Sequence, residues 1–194
     1  QEFGYFARDH IYKVRTDISN NVYIAGDYEQ QIPYLAAPTY SFAIGYAYVA
    51  KLTSTFVKTW VIEFHGSGSM VGNAVMDIAI DGSGNVYSTG LFKNTIDFDP
   101  SATTSYTLAS PSSTDYDVFV SKVSSTGAFL WADKIAAGTG NASGTGISLD
   151  PLRNVFVTGY FTGTVDFNPG GTAYNKASAG SNDIFVCKLN SAGV

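Results

Sequence analysis

Carboxylates spaced two residues apart recur at matched places in this chain: Asp97 and Asp99 in TIDFDP, then Asp166 with Asn168 in TVDFNP. Alternate residues of an extended segment point the same way. Each pair therefore aims two oxygen-bearing side chains at one spot, which is the donor chemistry of a hard cation. Asp97, Asp99, Asp166 and Asn168 are the calcium candidates of the sequence. Against them stands a plainer role, a strand that ends in a turn, with proline blocking further pairing. A second set, Asp17-x-x-x-Asn21, Asp81-x-x-x-Asn85 and Asp150-x-x-x-Asn154, resembles half of a calcium loop. Calcium takes about six to eight oxygens, and the Leu and Arg of DPLRN supply none from their side chains. A hairpin turn whose Asp and Asn bond the turn's own amides is the simpler reading.

Catalytic chemistry is harder to assemble. The only two histidines, His10 and His65, sit in unlike contexts, without a nucleophile or metal-ligand spacing beside them. Gly66-Ser67-Gly68-Ser69 lacks the strand–turn–helix setting of a nucleophile elbow. Asp115 and Asp117 form a possible acid/base pair, but Asp117 has a repeat counterpart in Asp183, which points to a structural cap. Lys51, Lys122 and Lys188 also recur in register. They are candidate ligand-binding groups or, more simply, strand-end lysines that reach solvent. The single cysteine, Cys187, lies inside the apolar run Ile184–Cys187 and reads as a small buried hydrophobe. The expectation is of no catalytic and no cofactor-binding residues, hence not an enzyme.

These residues are positioned by an internal repeat. DGSGNVYSTGLFKNTIDFDP at Asp81–Pro100 returns as DPLRNVFVTGYFTGTVDFNP at Asp150–Pro169, with a fainter copy, DISNNVYIAGDY, at Asp17–Tyr28. Asn21, Asn85 and Asn154 lie 64 and 69 residues apart, and Trp60 and Trp131 lie 71 apart. A unit of that length, with about four strands and Gly-rich turns, fits one propeller blade. DVFVSKV, DIFVCKL and YAYVAKL are nearly continuous apolar runs, as strands covered on both faces must be. Gly26, Gly90 and Gly159 fall mid-strand, where glycine is tolerated if a neighbouring blade's backbone or a large ring comes close. Trp60 and Trp131 are expected to plug the gap between blades rather than to stack on sugars.

The chain has 194 residues, 45% of them hydrophobic and only 14% charged, with a net charge of −5. That balance argues for a real core and against a nucleic-acid partner. One cysteine excludes an intrachain disulfide. The most apolar stretch, Tyr34–Leu52, is broken by Pro38 and Gly45, so no membrane span is expected. The opening QEFGYFARDH carries no leader, so export would require one removed or lying upstream.

The string N-V-[YF]-x-T-G-x-F-x-x-T-[VI]-D-F-[DN]-P is followed by D-[VI]-F-V-x-K-[LV]-x-S-x-G and, once, by F-L-W-A-x-K-I. It runs through Asn85–Pro100, Asp117–Gly127 and Phe129–Ile135, and through Asn154–Pro169 and Asp183–Gly193. This pattern resembles the bacterial SBBP (beta-propeller) repeat; the first repeat departs from it across residues 29–45. The resemblance implies propeller blades in large exported or cell-surface proteins, frequent in Bacteroidota and often type IX secretion substrates, with no defined activity to transfer.

The expectation is an all-β chain of three propeller blades, each of about four antiparallel strands, forming a ring this chain alone does not close. Residues 1–13 would be connector or the end of a preceding blade, 14–66 an irregular first blade, 67–137 the second, and 138–194 a third lacking its last strand. The function expected is a non-enzymatic extracellular scaffold or protein-interaction module, a segment of a larger exported protein. Its partners would be proteins or further blades. The alternatives are a carbohydrate-binding propeller that takes a surface glycan with the help of calcium, and a fragment of a propeller enzyme whose active site lies elsewhere.

Overall fold

The computed structural model describes residues 9–28, 46–67, 72–110, 112–135, 137–168 and 171–194. The irregular segment 29–45 of the first repeat lies outside the described residues, as does the start of the expected connector. The chain is all-β, with no helix among the described residues. Its strands are β1 (Asp9–Thr16), β2 (Val22–Tyr28), β3 (Tyr46–Leu52), β4 (Lys58–Ser67), β5 (Ala74–Ile80), β6 (Val86–Phe92), β7 (Thr95–Asp97) and β8 (Thr107–Ala109). They continue as β9 (Asp117–Val123), β10 (Phe129–Ile135), β11 (Ala137–Thr139), β12 (Ala142–Leu149), β13 (Val155–Phe161), β14 (Thr164–Asp166), β15 (Asn175–Ala177) and β16 (Asp183–Leu189). Residues 9–13, expected as connector or the end of a preceding blade, begin β1 and pair with β2 from Asp9↔Tyr28 onward.

Pairing is antiparallel throughout, in three equivalent meanders: β1-β2-β3-β4, β5-β6-β9-β10 and β12-β13-β16. None of these sheets closes on itself. The first strand of each meander carries one bulge at the same place, between Ile11 and Lys13, Val75 and Asp77, and Gly144 and Gly146. Opposite each bulge sits the mid-strand glycine. A Cβ on Gly26, Gly90 or Gly159 would overlap the carbonyl oxygen of His10, Ala74 or Ser143. The close backbone therefore belongs to the first strand of the same sheet, not to a neighbouring sheet; the large ring that the sequence allowed for is present at Gly90 and Gly159 as Phe119 and Phe185.

The meanders stack face to face. The face of the first sheet that carries Tyr23, Ala25 and Val49 forms one core with Val75, Ile78, Val86, Phe92 and Phe119 of the second. The matching face of the second, with Tyr87, Val118 and Val120, forms another core with Ile147, Val155, Phe161 and Phe185 of the third. The face that carries Tyr23, Tyr87 or Phe156 is called the leading face below, and its opposite the trailing face. A strap reinforces each junction. The end of β4 runs on to pair with β7, whose hairpin partner is β8. β11, which follows β10, pairs in the same way with the β14–β15 hairpin.

Candidate functional site

The repeated carboxylates close loops. In all three copies, one oxygen of Asp17, Asp81 or Asp150 accepts the N–H two and four residues on, while the other accepts the side-chain N–H of Asn21, Asn85 or Asn154 at 2.7–2.8 Å. Burial alone would raise the Asp81 carboxyl. The hydrogen bonds from Asn85 and Ser83, with the Arg153 charge, outweigh it and hold the group below the usual carboxylate range. At Asp17 burial is likewise outweighed, by Asn21, Tyr23 and Ser19. At Asp150 the Asn154 side chain is the main cause of the lowering.

The calcium candidates lie at the β7–β8 and β14–β15 loops. Asp97 accepts the N–H of Asp99 and of Tyr106, and Asp166 accepts the N–H of Asn168 and of Tyr174. Asp99 takes the Ser101 N–H and the Thr104 hydroxyl. Asn168 donates to the Thr172 carbonyl at 2.7 Å. Among the described residues no group of three or more His, Cys, Asp or Glu side chains is placed to hold a metal ion.

The two histidines stand on different strands, each beside its own carboxylate. His10 meets Asp27 at 3.2 Å on β1, and His65 meets Glu63 at 3.6 Å on β4. Asp183 accepts the Ala179 N–H, and Asp117 is buried at the start of β9. Cys187 is buried, with its thiol 3.6 Å from the Phe167 carbonyl, and burial raises its pKa. The repeated lysines do something the sequence did not suggest. Lys51, Lys122 and Lys188 lie 5.1, 4.7 and 5.4 Å over the rings of Tyr23, Tyr87 and Phe156, their cross-strand partners.

The tryptophans join sheets, as expected. Trp60 and Trp131 stand edge-on to Tyr23 and Tyr87 at 6.2 Å. Each ring covers a positive-φ glycine, Gly127 or Gly193, in the last hairpin turn of the following sheet. Trp60 donates to the Ser125 carbonyl, but the Trp131 Nε1–H is buried without a partner among the described residues. Sequence reasoning missed Asp77. One of its oxygens meets Lys13 at 3.2 Å and Arg15 at 3.1 Å on the first sheet, and the other accepts the Ile147 N–H on the third. One side chain of β5 thus ties β1 and β12, through partners more than sixty residues away.

The side chains with the clearest capacity for contact lie on the leading face of the third sheet. Ile184 and Val186 are 88% and 75% exposed, whereas their counterparts are 0% and 1% exposed at Val118 and Val120, and 1% and 2% at Ala47 and Val49. Tyr160 and Lys188 share that face. Alongside runs a groove of about 620 Å³, between the outer edge of β16 and the hairpin residues Tyr174, Lys176 and Ala177. Among the described residues β16 pairs only with β13. No helix of the described residues is long and apolar enough to cross a membrane. Comparison with protein-family models and with curated proteins finds no match to this chain.

Proposed function

We propose that the three sheets are successive blades of a β-propeller of the SBBP kind. On this reading the chain is a non-enzymatic scaffold and protein-interaction module within a larger exported, cell-surface protein. The observation that carries it is the repeated stacking of leading face on trailing face, with β1, β5 and β12 side by side and linked through Asp77. Blades set around an axis need this arrangement, in which every sheet is covered by its neighbours. The non-enzymatic part is supported by where the repeated polar groups are spent. The carboxylates hold turn amides and the lysines cover rings, so the groups that recur serve architecture.

Two measurements test the reading. Electron microscopy of the full-length protein is expected to show a disc with a central axis; a straight stack of sheets would refute the propeller. A glycan array, run with and without a calcium chelator, is expected to stay blank. A chelator-sensitive signal that is lost in Asp97→Ala would overturn the scaffold in favour of a carbohydrate-binding propeller.

A further inference from the structure

Arg15 breaks the repeat at a position where the other two sheets carry little. It stands opposite Tyr23 on the first sheet, and the same register holds Ala79 opposite Tyr87 on the second and Ser148 opposite Phe156 on the third. One long cation is thus set among small side chains, and a cavity of about 350 Å³ lies between β1, β5 and β12. Arg15 and Thr16 wall it on one side, Ala79 and Ile80 on the second, Ser148 and Leu149 on the third. The charge beside it is unbalanced. Lys13 and Arg15 share one oxygen of Asp77, at 3.2 and 3.1 Å, while the other oxygen accepts the Ile147 N–H. Two cations divide one carboxylate, which leaves a positive charge over in a chain whose net charge is −5. Arg15 gives one N–H to Asp77 and one to the Val14 carbonyl, and a guanidinium has more donors than that. Its side chain is 41% exposed, so those donors are reached from solvent. Backbone groups face the same space. The N–H groups of Asp17, Asp81 and Asp150 bond back to the Asn21, Asn85 and Asn154 carbonyls of their own sheets. Directions alternate along an antiparallel strand, so Thr16, Ile80 and Leu149, one residue earlier, turn N–H and C=O away from their sheets and toward the cavity they line. The Asp17, Asp81 and Asp150 carboxylates are turned to their own loops, with both oxygens bonded there.

We propose that this cavity binds a small hydroxylated carboxylate, its carboxylate on the Arg15 guanidinium and its hydroxyls on the backbone of β1, β5 and β12. A guanidinium takes both oxygens of a carboxylate side by side. A single surplus charge matches a monoanion and not a phosphate dianion. The outward N–H groups of Thr16, Ile80 and Leu149 donate to ligand oxygens, and the carbonyls beside them accept from hydroxyls, so a bare carboxylate would use only part of the site. Asp77 is a positioning residue here. It holds Arg15 at the junction of the sheets, and because Lys13 shares the same oxygen it does not neutralise it. The site goes beyond the scaffold reading and needs only three neighbouring first strands, not a closed ring. It is built from side chains that do not recur, in a molecule whose recurring polar groups serve turns and rings.

The test titrates the whole, isotopically labelled chain with sodium gluconate and follows the backbone amides and the Arg15 Nε–H by nuclear magnetic resonance. The expected result is saturation at or below about 10 mM, with the largest shifts at Arg15, Thr16, Ile80 and Leu149. Sorbitol, which has the same hydroxylated body without the charge, and sodium chloride at equal ionic strength are expected to leave those signals in place. Inorganic phosphate is expected to bind more weakly than gluconate. Arg15→Gln should weaken gluconate binding about tenfold or more, as loss of a hydrogen bond to a charged group does. Arg15→Lys, which keeps the charge and loses the paired donors, should restore only part of it. Absence of saturation, equal binding of sorbitol, tighter binding of phosphate, shifts confined to other residues, or full affinity in Arg15→Gln would each overturn the site. If Arg15→Gln does not fold, the response of the Arg15 Nε–H in the unaltered chain decides: no shift on saturation refutes the proposal.

Discussion

At the scale of single residues, the two tryptophans offer a matched comparison, because they share a role and differ in one hydrogen bond. Trp60→Phe removes the donor to the Ser125 carbonyl, whereas Trp131→Phe deletes a buried N–H that has no partner among the described residues. A net hydrogen bond contributes about 1 kcal/mol, and a buried unsatisfied donor costs about 1–3 kcal/mol. Trp60→Phe should therefore destabilise the chain by at least about 1 kcal/mol more than Trp131→Phe in urea unfolding. Equal losses would mean that the rings act through packing alone. The mid-strand glycines make a sterner case. At Gly90 a methyl group would overlap the Ala74 carbonyl, and only a shift of backbone makes room for it. Gly90→Ala should cost about 3 kcal/mol, whereas Gly82→Ala, with open space around the position, should cost little. Thermal unfolding of the two variants side by side decides this.

The turns are the elements in which sequence and structure agree most closely. Asp-x-x-x-Asn was legible because the hydrogen bonds that recur in all three copies lie within five residues. The strands that carry apolar runs were legible for the same local reason. Two strands of the straps were not: β11 and β15 are three residues each, with nothing in their composition to mark them, and both are strands because they pair with β14. The Asp77 hub escaped for the same cause, since its partners lie on other sheets and no spacing within β5 announces them. The calcium candidates were read from alternation alone, which places Asp97 and Asp166 in the loops but does not reveal the amides that bond one oxygen of each. The turns also set a pH dependence. Asp17, Asp81 and Asp150 have folded pKa values below their unfolded ones. Their contribution is thus fully present above the unfolded value of about 3.9 and is lost as pH falls through the lowered folded values. Stability should drop as pH falls below about 4. Replacing all three with Asn should flatten that drop, since Asn keeps the acceptor for the turn amides but cannot titrate. An unchanged acid limb in the triple variant would assign the loss to other carboxylates.

Across the whole molecule, one rule repeats and then stops. The leading faces of the first two sheets are buried by a following sheet, and that of the third is open, although its residues remain those of a buried surface. Equivalent substitutions should consequently have opposite weight on neighbouring sheets. Val118→Thr with Val120→Thr places two hydroxyls in a closed core, at about 1–3 kcal/mol each when no partner is at hand. Ile184→Thr with Val186→Thr changes side chains already in water and should stay within about 0.5 kcal/mol. The second pair should also lower any tendency to associate, because an apolar face beside an unpaired edge strand attracts other chains. Urea unfolding and sedimentation of both double variants make the comparison. A large loss from the Ile184/Val186 pair would mean that this face is covered in the free chain, by self-association or by segments folding over it. The same pair placed in a longer protein, where a further sheet seats on that face, should cost as much as the pair at Val118 and Val120. The cost of these two substitutions therefore reports directly whether the third sheet has a neighbour.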